Sequence, residues 1–245
     1  MELTVLGTGS QGNSYVLESE SGERLVLEAG VNFKRVKKHL NFNLKNVSGV
    51  IVSHAHLDHS KAMEDFTTSA INVYASQETI DHMNLKSHRL KPIQVKKRYS
   101  IGSFKVVPIP MQHDVPCLAF IIHHEECGNV VFITDTLYSP FKFKNIHNWI
   151  IEANYSQEIM DGKDGYGSTK AFLRNRVMSS HLSIENCLDL FSVNDLSLTN
   201  NIVLTHLSDR NSHAEQFKSM TEKQTGKTVT IAETGLMIPF NKRPF

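Results

Sequence analysis

The sequence predicts an α/β fold, an α+β sandwich, formed by a single domain over residues 1–245. Three observations carry this expectation. Short alternating or apolar runs of strand length recur along the chain, and helical patterns fall between some of them. Strands dominate the first half while helices crowd the second. No internal repeat, low-complexity tract or long Pro/Gly/Ser linker divides the chain.

In chain order, strand runs fall at 2–6, 14–18 and 24–28, then at 49–53 around the apolar Val50-Ile51-Val52, and at 71–75. Further runs at 103–109, 117–123 and 129–134 follow, the last carrying Val130-Val131-Phe132-Ile133-Thr134. Runs at 148–152, at 201–205 with Ile202-Val203-Leu204-Thr205, and at 235–238 complete the set. Such runs suit strands because period-two alternation buries one face and continuous apolar character buries both. Helical spacing covers Phe33–Leu40, Gln77–Leu85, Ser168–Met178, Ile184–Phe191 and Ser212–Thr225, each opened or closed by polar or glycine signals. The stretch Asp161-Gly162-Lys163-Asp164-Gly165-Tyr166-Gly167 reads as a loop between two elements and a candidate lid.

Composition narrows the function classes. With 245 residues and 40% hydrophobic side chains, the chain can build a full core without metal or disulfide staples. Its 26 Lys+Arg against 25 Asp+Glu leave a net charge of +1, which disfavours extended nucleic acid as a partner. The start, Met1-Glu2-Leu3-Thr4-Val5, lacks the basic and apolar regions of a signal peptide, and no apolar run approaches the ~18–20 residues that span a bilayer. A cytoplasmic protein without membrane partners is expected, in the host cytoplasm if phage-encoded. Cys117, Cys127 and Cys187 are odd in number and form no C-x-x-C, so they read as buried reduced thiols.

The thirteen histidines are the informative residues. Three lie in His54-Ala55-His56-Leu57-Asp58-His59, directly after the strand around Val50-Ile51-Val52. Four ligand-capable side chains on one short turn crowd a single tetrahedral ion but suit two adjacent ions. Imidazole and carboxylate donors fit Zn²⁺, and the same mixture admits Mn²⁺ or Fe. Two ions need more ligands, and the chain offers them beyond later strands: His113, Asp135 and His206.

On these residues the sequence resembles the metallo-β-lactamase-fold hydrolases, whose hallmark is H-x-H-x-D-H followed by His, Asp and His in this order. The resemblance implies the four-layer αββα architecture. It also implies that His54, His56 and His113 hold one metal, that Asp58, His59 and His206 hold the other, and that Asp135 bridges them. An early strand in the family ends in Asp-x-Gly, whose acid supports the metal site; here the segment is Leu27-Glu28-Ala29-Gly30, one methylene longer. Leu204-Thr205-His206-Leu207-Ser208, Ile151-Glu152-Ala153-Asn154 and Ser180-His181-Leu182-Ser183 are similar to segments of RNase Z and YycJ-type proteins. The opening Leu6-Gly7-Thr8-Gly9-Ser10-Gln11-Gly12-Asn13-Ser14-Tyr15 resembles the start of YycJ-like and small phage members, including anti-Pycsar enzymes that cleave cyclic mononucleotides. As a plain hairpin, the same Gly/Ser/Asn loop would touch no substrate.

The expected activity is a metal-dependent phosphodiesterase with two divalent ions, Zn²⁺ first and Mn²⁺ second. A metal-activated water attacks the phosphate, but the leaving alkoxide still needs a proton that no ligand can donate. His181, oriented by Glu152, is assigned that role, and Asp58 is counted with them among the catalytic residues. The favoured substrate is a 3′,5′-cyclic mononucleotide, in keeping with an anti-defence role and the +1 charge. A YycJ-like exonuclease acting on short DNA is the alternative, for which the basic runs Lys34–Lys38 and Lys96–Arg98 offer backbone contacts. A non-phosphate ester, thioester or lactam hydrolase and an inactive binding module of the same fold rank lower. tRNA processing is disfavoured because His113 and Asp135 lie only 22 positions apart, which leaves no room for an RNase Z arm. A homodimer is expected, on a patch containing Phe141-Lys142-Phe143 and Tyr155.

Overall fold

The computed structural model describes residues 1–162 and 168–243, so positions 163–167 of the candidate lid lie outside the described residues. Two seven-stranded sheets form the centre. The first contains β1 (Glu2–Gly7), β2 (Ser14–Glu18), β3 (Arg24–Leu27), β4 (Val47–Ile51), β5 (Val73–Ala75), β6 (Leu90–Pro92) and β14 (Met237–Pro239). The second contains β7 (Tyr99–Ile101), β8 (Phe104–Met111), β9 (Cys117–His124), β10 (Gly128–Ile133), β11 (Ile146–Glu152), β12 (Asn201–Thr205) and β13 (Thr228–Ile231). In the first sheet the order is β14-β1-β2-β3-β4-β5-β6, antiparallel up to β3 and parallel from β3 onward. The second mirrors it, with β10 to β13 parallel and β7 to β10 antiparallel.

Period-two alternation builds three cores. Leu25 and Leu27 of β3 face inward and meet Phe104, Phe120, Phe132 and Val203 in a cluster between the sheets. Val26, Val50 and Val52 point outward and pack on α1 (Phe33–His39) and α3 (Met63–Thr68) through Phe33, Val36, Met63 and Phe66, and on α4 (Gln77–His82) through Ile80. On the far side, Trp149, Ile151, Ile202 and Leu204 pack against α7 (Ile184–Ser192) and α8 (Ala214–Thr225). The result is the αββα layering that the family resemblance implies.

Several boundaries differ from expectation. The helix expected over Gln77–Leu85 ends at His82, with Met83 capping it, and the strand expected at 71–75 starts at Val73. β6, β7 and β13 have three or four residues each, too few to show alternation in sequence. The short helices α2 (Leu57–Ser60) and α5 (Gln157–Asp161) escape helical periodicity for the same reason. The helix expected over Ser168–Met178 is α6 (Ser168–Ser180). Two members of the expected dimer patch are corrected: Phe143 and Tyr155 are 4% and 3% exposed, because Phe143 packs edge-on against Trp149 and both are used in the chain's own packing, while Phe141 is half-buried and Lys142 exposed. All three cysteines are buried and unpaired. No helix among the described residues is long and apolar enough to cross a membrane.

This topology decides where chemistry gathers. Glu28 follows β3 and His54 follows β4, while Asp135, Glu152 and His206 lie at or just beyond the ends of β10, β11 and β12. All are carboxyl ends of parallel strands, where open α/β sheets present their ligand-binding residues.

Candidate metal centre

The histidine turn is held from beneath by two other segments. The amide of Ala29 donates to the His59 carbonyl at 2.8 Å, and that of Asn13 donates to the Asp58 carbonyl at 2.7 Å. Gly30 donates in turn to the Asn13 carbonyl at 2.9 Å. Only a residue without Cβ fits there, since a Cβ on Gly30 would lie 1.6 Å from the Asp58 carbonyl oxygen. Gly30→Ala is therefore expected to cost about 3 kcal/mol or more, a fall of about 6–12 °C in Tm for a chain of this size, with reduced metal content. An unchanged melt with full metal content would refute this account of the turn.

Glu28 sits at a left-handed φ of 66°, fully buried. Both of its carboxylate oxygens accept from the Ser53 amide at 3.2 Å. One of them stands 3.7 Å from His59 Nδ1, which itself has no hydrogen-bond partner. The longer acid thus reaches the histidine turn but bonds its backbone. His206 is also left-handed, with φ 55°, and Asn154 holds it by donating to its carbonyl at 2.8 Å.

Two groups of donors converge. His54 Nε2 lies 3.1 Å and His113 Nε2 3.2 Å from His56 Nδ1. Both Nε2 atoms are 3.9 Å from one carboxylate oxygen of Asp135. His113 Nδ1 donates to the Ser180 carbonyl at 2.6 Å, which turns its Nε2 toward the centre, where Asp114 also stands 3.0 Å from it. His56 Nε2 lies 3.3 Å from the same Asp114 oxygen, and its Nδ1 faces His113 Nε2. Nitrogens facing one another at this separation match the edge of about 3.3 Å of a tetrahedron drawn at zinc–nitrogen distances. A cation between them would fit.

The second group brings Asp58, His59, Asp135 and His206 together. His59 Nε2 is 3.4 Å from both Asp58 and the other oxygen of Asp135, and His206 Nε2 is 3.5 Å from Asp58. His206 Nδ1 is engaged by Glu152 at 3.0 Å, and its buried Nε2 has no hydrogen-bond partner. That orphaned nitrogen, aimed at a carboxylate, fits a metal ligand. The donor sets on both sides thus suit divalent metal ions.

Electrostatics separate the two groups. Burial and the neighbouring imidazoles hold His54 well below its ordinary pKa, and burial also lowers His56. Burial opposes charge on His59 and His206 as well, but the surrounding carboxylates together outweigh it, Asp135 first among them with Asp58, Glu28 and Glu152: His59 is held well above the usual range and His206 is pushed up to about 10. The Asp135 carboxyl is correspondingly held well below its usual range, as His206 and His59 overcome its desolvation.

Beside both groups, His181 Nδ1 lies 2.6 Å from Glu152 and 3.7 Å from Asp135. Glu152 is fully buried and also accepts from the amides of Leu182 at 3.0 Å and Thr136 at 3.2 Å. Burial opposes charge on His181, but the Glu152 carboxylate overcomes it and raises the imidazole. Every residue singled out from the sequence for this centre is thus brought into it. Sequence reasoning missed Asn13, whose amide nitrogen is 3.1 Å from His59 Nε2, and Asp114, 3.0 Å from His113 Nε2. Their adjacency to the glycine-rich opening and to His113 was the available signal.

The family model described as beta-lactamase superfamily domain matches residues 23–207. The exodeoxyribonuclease WalJ of Streptococcus pneumoniae is 25% identical over 229 residues, 86% of this chain and 83% of that protein. The exodeoxyribonuclease YycJ of Bacillus anthracis is 24% identical over 233 residues, 88% of this chain and 85% of that protein. The anti-Pycsar protein Apyc1 of Bacillus phage 010DV004 is 34% identical over 71 residues, 26% of this chain and 28% of that protein. Among solved structures, the metallo-beta-lactamase fold protein YhfI from Bacillus subtilis superposes with a TM-score of 0.72 at 17% identity, covering 97% of this chain and 98% of that one. Human tRNase Z, short form, superposes with a TM-score of 0.63 at 18% identity, with the same coverage. A family match that runs from β3 to just past His206 makes the chain a member of the beta-lactamase superfamily domain family, a metal-dependent hydrolase of the metallo-β-lactamase fold.

Proposed function

We propose that the chain, working as one domain, is a two-metal phosphodiesterase that cuts nucleotide phosphodiester bonds. The observation that carries this reading is His181, held by a buried carboxylate at 2.6 Å beside both donor groups. In this reading His54, His56 and His113 would hold one ion, Asp58, His59 and His206 would hold the other, and Asp135, which faces both groups, would serve both. Zn²⁺ is the proposed ion on the imidazole-rich donor set, with Mn²⁺ second. Bound there, divalent ions supply a low-pKa water as nucleophile and positive charge for the phosphoryl oxygens. His181 donates Nδ1–H to Glu152, which leaves Nε2 to protonate the leaving oxygen. Asp58, whose side chain is 23% exposed, would help hold the second ion and leaves room for a water molecule beside it.

Protons follow from this ligand set. In the metal-free pocket the surrounding carboxylates favour the charged forms of His59 and His206, which must lose a proton to ligate, so apparent affinity rises with pH. Calorimetry at pH 7 in buffers of different ionisation enthalpy is expected to show net release of protons on metal binding. Release near zero would break the assignment of the second group.

Length of match favours a DNA end as the leading substrate, since the relatives named exodeoxyribonuclease align over 86–88% of this chain. The 3′,5′-cyclic mononucleotide favoured by the charge balance becomes the second reading, supported by the shorter match to an anti-Pycsar protein. Metal-loaded protein is to be assayed on bis(p-nitrophenyl) phosphate, short labelled DNA and cyclic mononucleotides. Expected are hydrolysis of the first and release of mononucleotides from DNA, weakening with salt by about 0.7 log units per contact and log unit of salt. Hydrolysis confined to thioesters or lactams would overturn the proposal.

A further inference from the structure

Among the described residues, two of the cavities beside the metal centre have linings that share no residue. One of about 380 Å³ reaches His181 and His206 along the glycine-rich opening. The other, of about 550 Å³, opens at His113 and Asp114 and is walled mainly by apolar groups, among them Met111, Pro116, Tyr138 and Phe141. From the second we infer that the chain carries a subsite for one nucleobase of its substrate, with Tyr138 as the stacking face. This inference rests on the phosphodiesterase reading and names which part of the substrate the cavity takes.

Three observations point to a base. Tyr138 is 43% exposed, yet the backbone on which it stands is locked. The Thr136 hydroxyl lies between the carbonyls of Gln112 at 3.0 Å and Tyr138 at 2.9 Å, with its one hydrogen to give to either. The Leu137 amide donates to Gln112 at 2.8 Å, and Asn186 donates to the Leu137 carbonyl at 3.0 Å. An aromatic ring exposed on a rigid segment is a preformed stacking platform, with little order left to impose on binding. Continuity is the second observation, because His113 belongs both to the cavity wall and to the first donor group. A molecule whose phosphate sits at the centre can extend directly into the cavity. Polar lining is the third: the Asp114 carboxylate at the mouth, with His56 and His113 on one oxygen and Arg176 3.6 Å from the other, is 36% exposed and can still accept from a base N–H, and the Gln112 amide offers a donor and an acceptor. A flat, neutral, hydrogen-bonding ring satisfies all three.

The test measures binding of the four nucleoside 5′-monophosphates and of ribose 5-phosphate to metal-loaded protein, wild type, Tyr138→Ala and Tyr138→Phe. At least one nucleotide is expected to bind about 5- to 150-fold tighter than ribose 5-phosphate, the range of one stacked base. That preference should collapse toward one in Tyr138→Ala and persist in Tyr138→Phe. No preference in the wild type, or a preference that survives Tyr138→Ala, overturns the subsite. So does a dimer that Tyr138→Ala dissociates without changing the preference, which would make the cavity a seat for a second copy. Failure of the phosphodiesterase reading shows separately, as absent hydrolysis of bis(p-nitrophenyl) phosphate with the nucleotide preference intact.

Discussion

Asp135→Ala is expected to abolish turnover and to lower metal affinity by more than about 100-fold, beyond what loss of a supporting contact costs. The carboxylate is 2% exposed and faces His54, His59, His113, His181 and His206 at 3.4–3.9 Å. Without it, five imidazoles converge with no anion between them, and His59 and His206 lose the group that most favours their charged forms. Either way the pocket is a poorer host for cations. His59→Ala should behave similarly but less severely, since it removes a donor from one group only. Elemental analysis of the purified variants together with phosphodiester turnover checks both, and full metal occupancy with a wild-type rate in either would sink the ligand assignment.

For His181→Ala the expected pattern is the opposite: metal stays bound while kcat falls by about 10²–10⁴. The imidazole contributes no donor to the two groups assigned to metal, and its contact with Glu152 leaves that carboxylate three other partners, His206, Leu182 and Thr136. The loss should depend on the leaving group. A p-nitrophenyl ester leaves as a stable phenolate that needs no proton, so its cleavage should suffer far less than that of a nucleotide ester. Equal losses on both would remove the proton-donor role, and loss of metal would make His181 a ligand, an arrangement also open to the third convergence of Asp135, Glu152, His181 and His206.

Much of this centre was legible in the chain because its residues follow strands whose own pattern is strong. Val50-Ile51-Val52 leads into His54, Val130 to Thr134 leads into Asp135, and Ile202 to Thr205 leads into His206. Strand-end positions survive in sequence because apolar runs announce strands, and ligand-type residues directly after them stand out. Short elements did not announce themselves, so the edge strands β6 and β7 and the four-residue helix α2 emerged only from the fold.

The sequence by itself thus determined the α/β class, which residues are candidates to serve as donors and the chemistry their side chains can support. Tertiary structure alone decided their relations. Packing the two sheets face to face sets the ends of β3 and β4 against those of β10, β11 and β12, which lets one oxygen of Asp135 face His54 and His113 while the other faces His59. The same packing turns Glu28 onto the Ser53 amide, brings the Ser180 carbonyl to His113 across 67 positions of sequence, and buries Phe143 and Tyr155. Local pattern records what each segment buries. Which segments then meet depends on contacts between residues far apart in the chain, and no local periodicity encodes those.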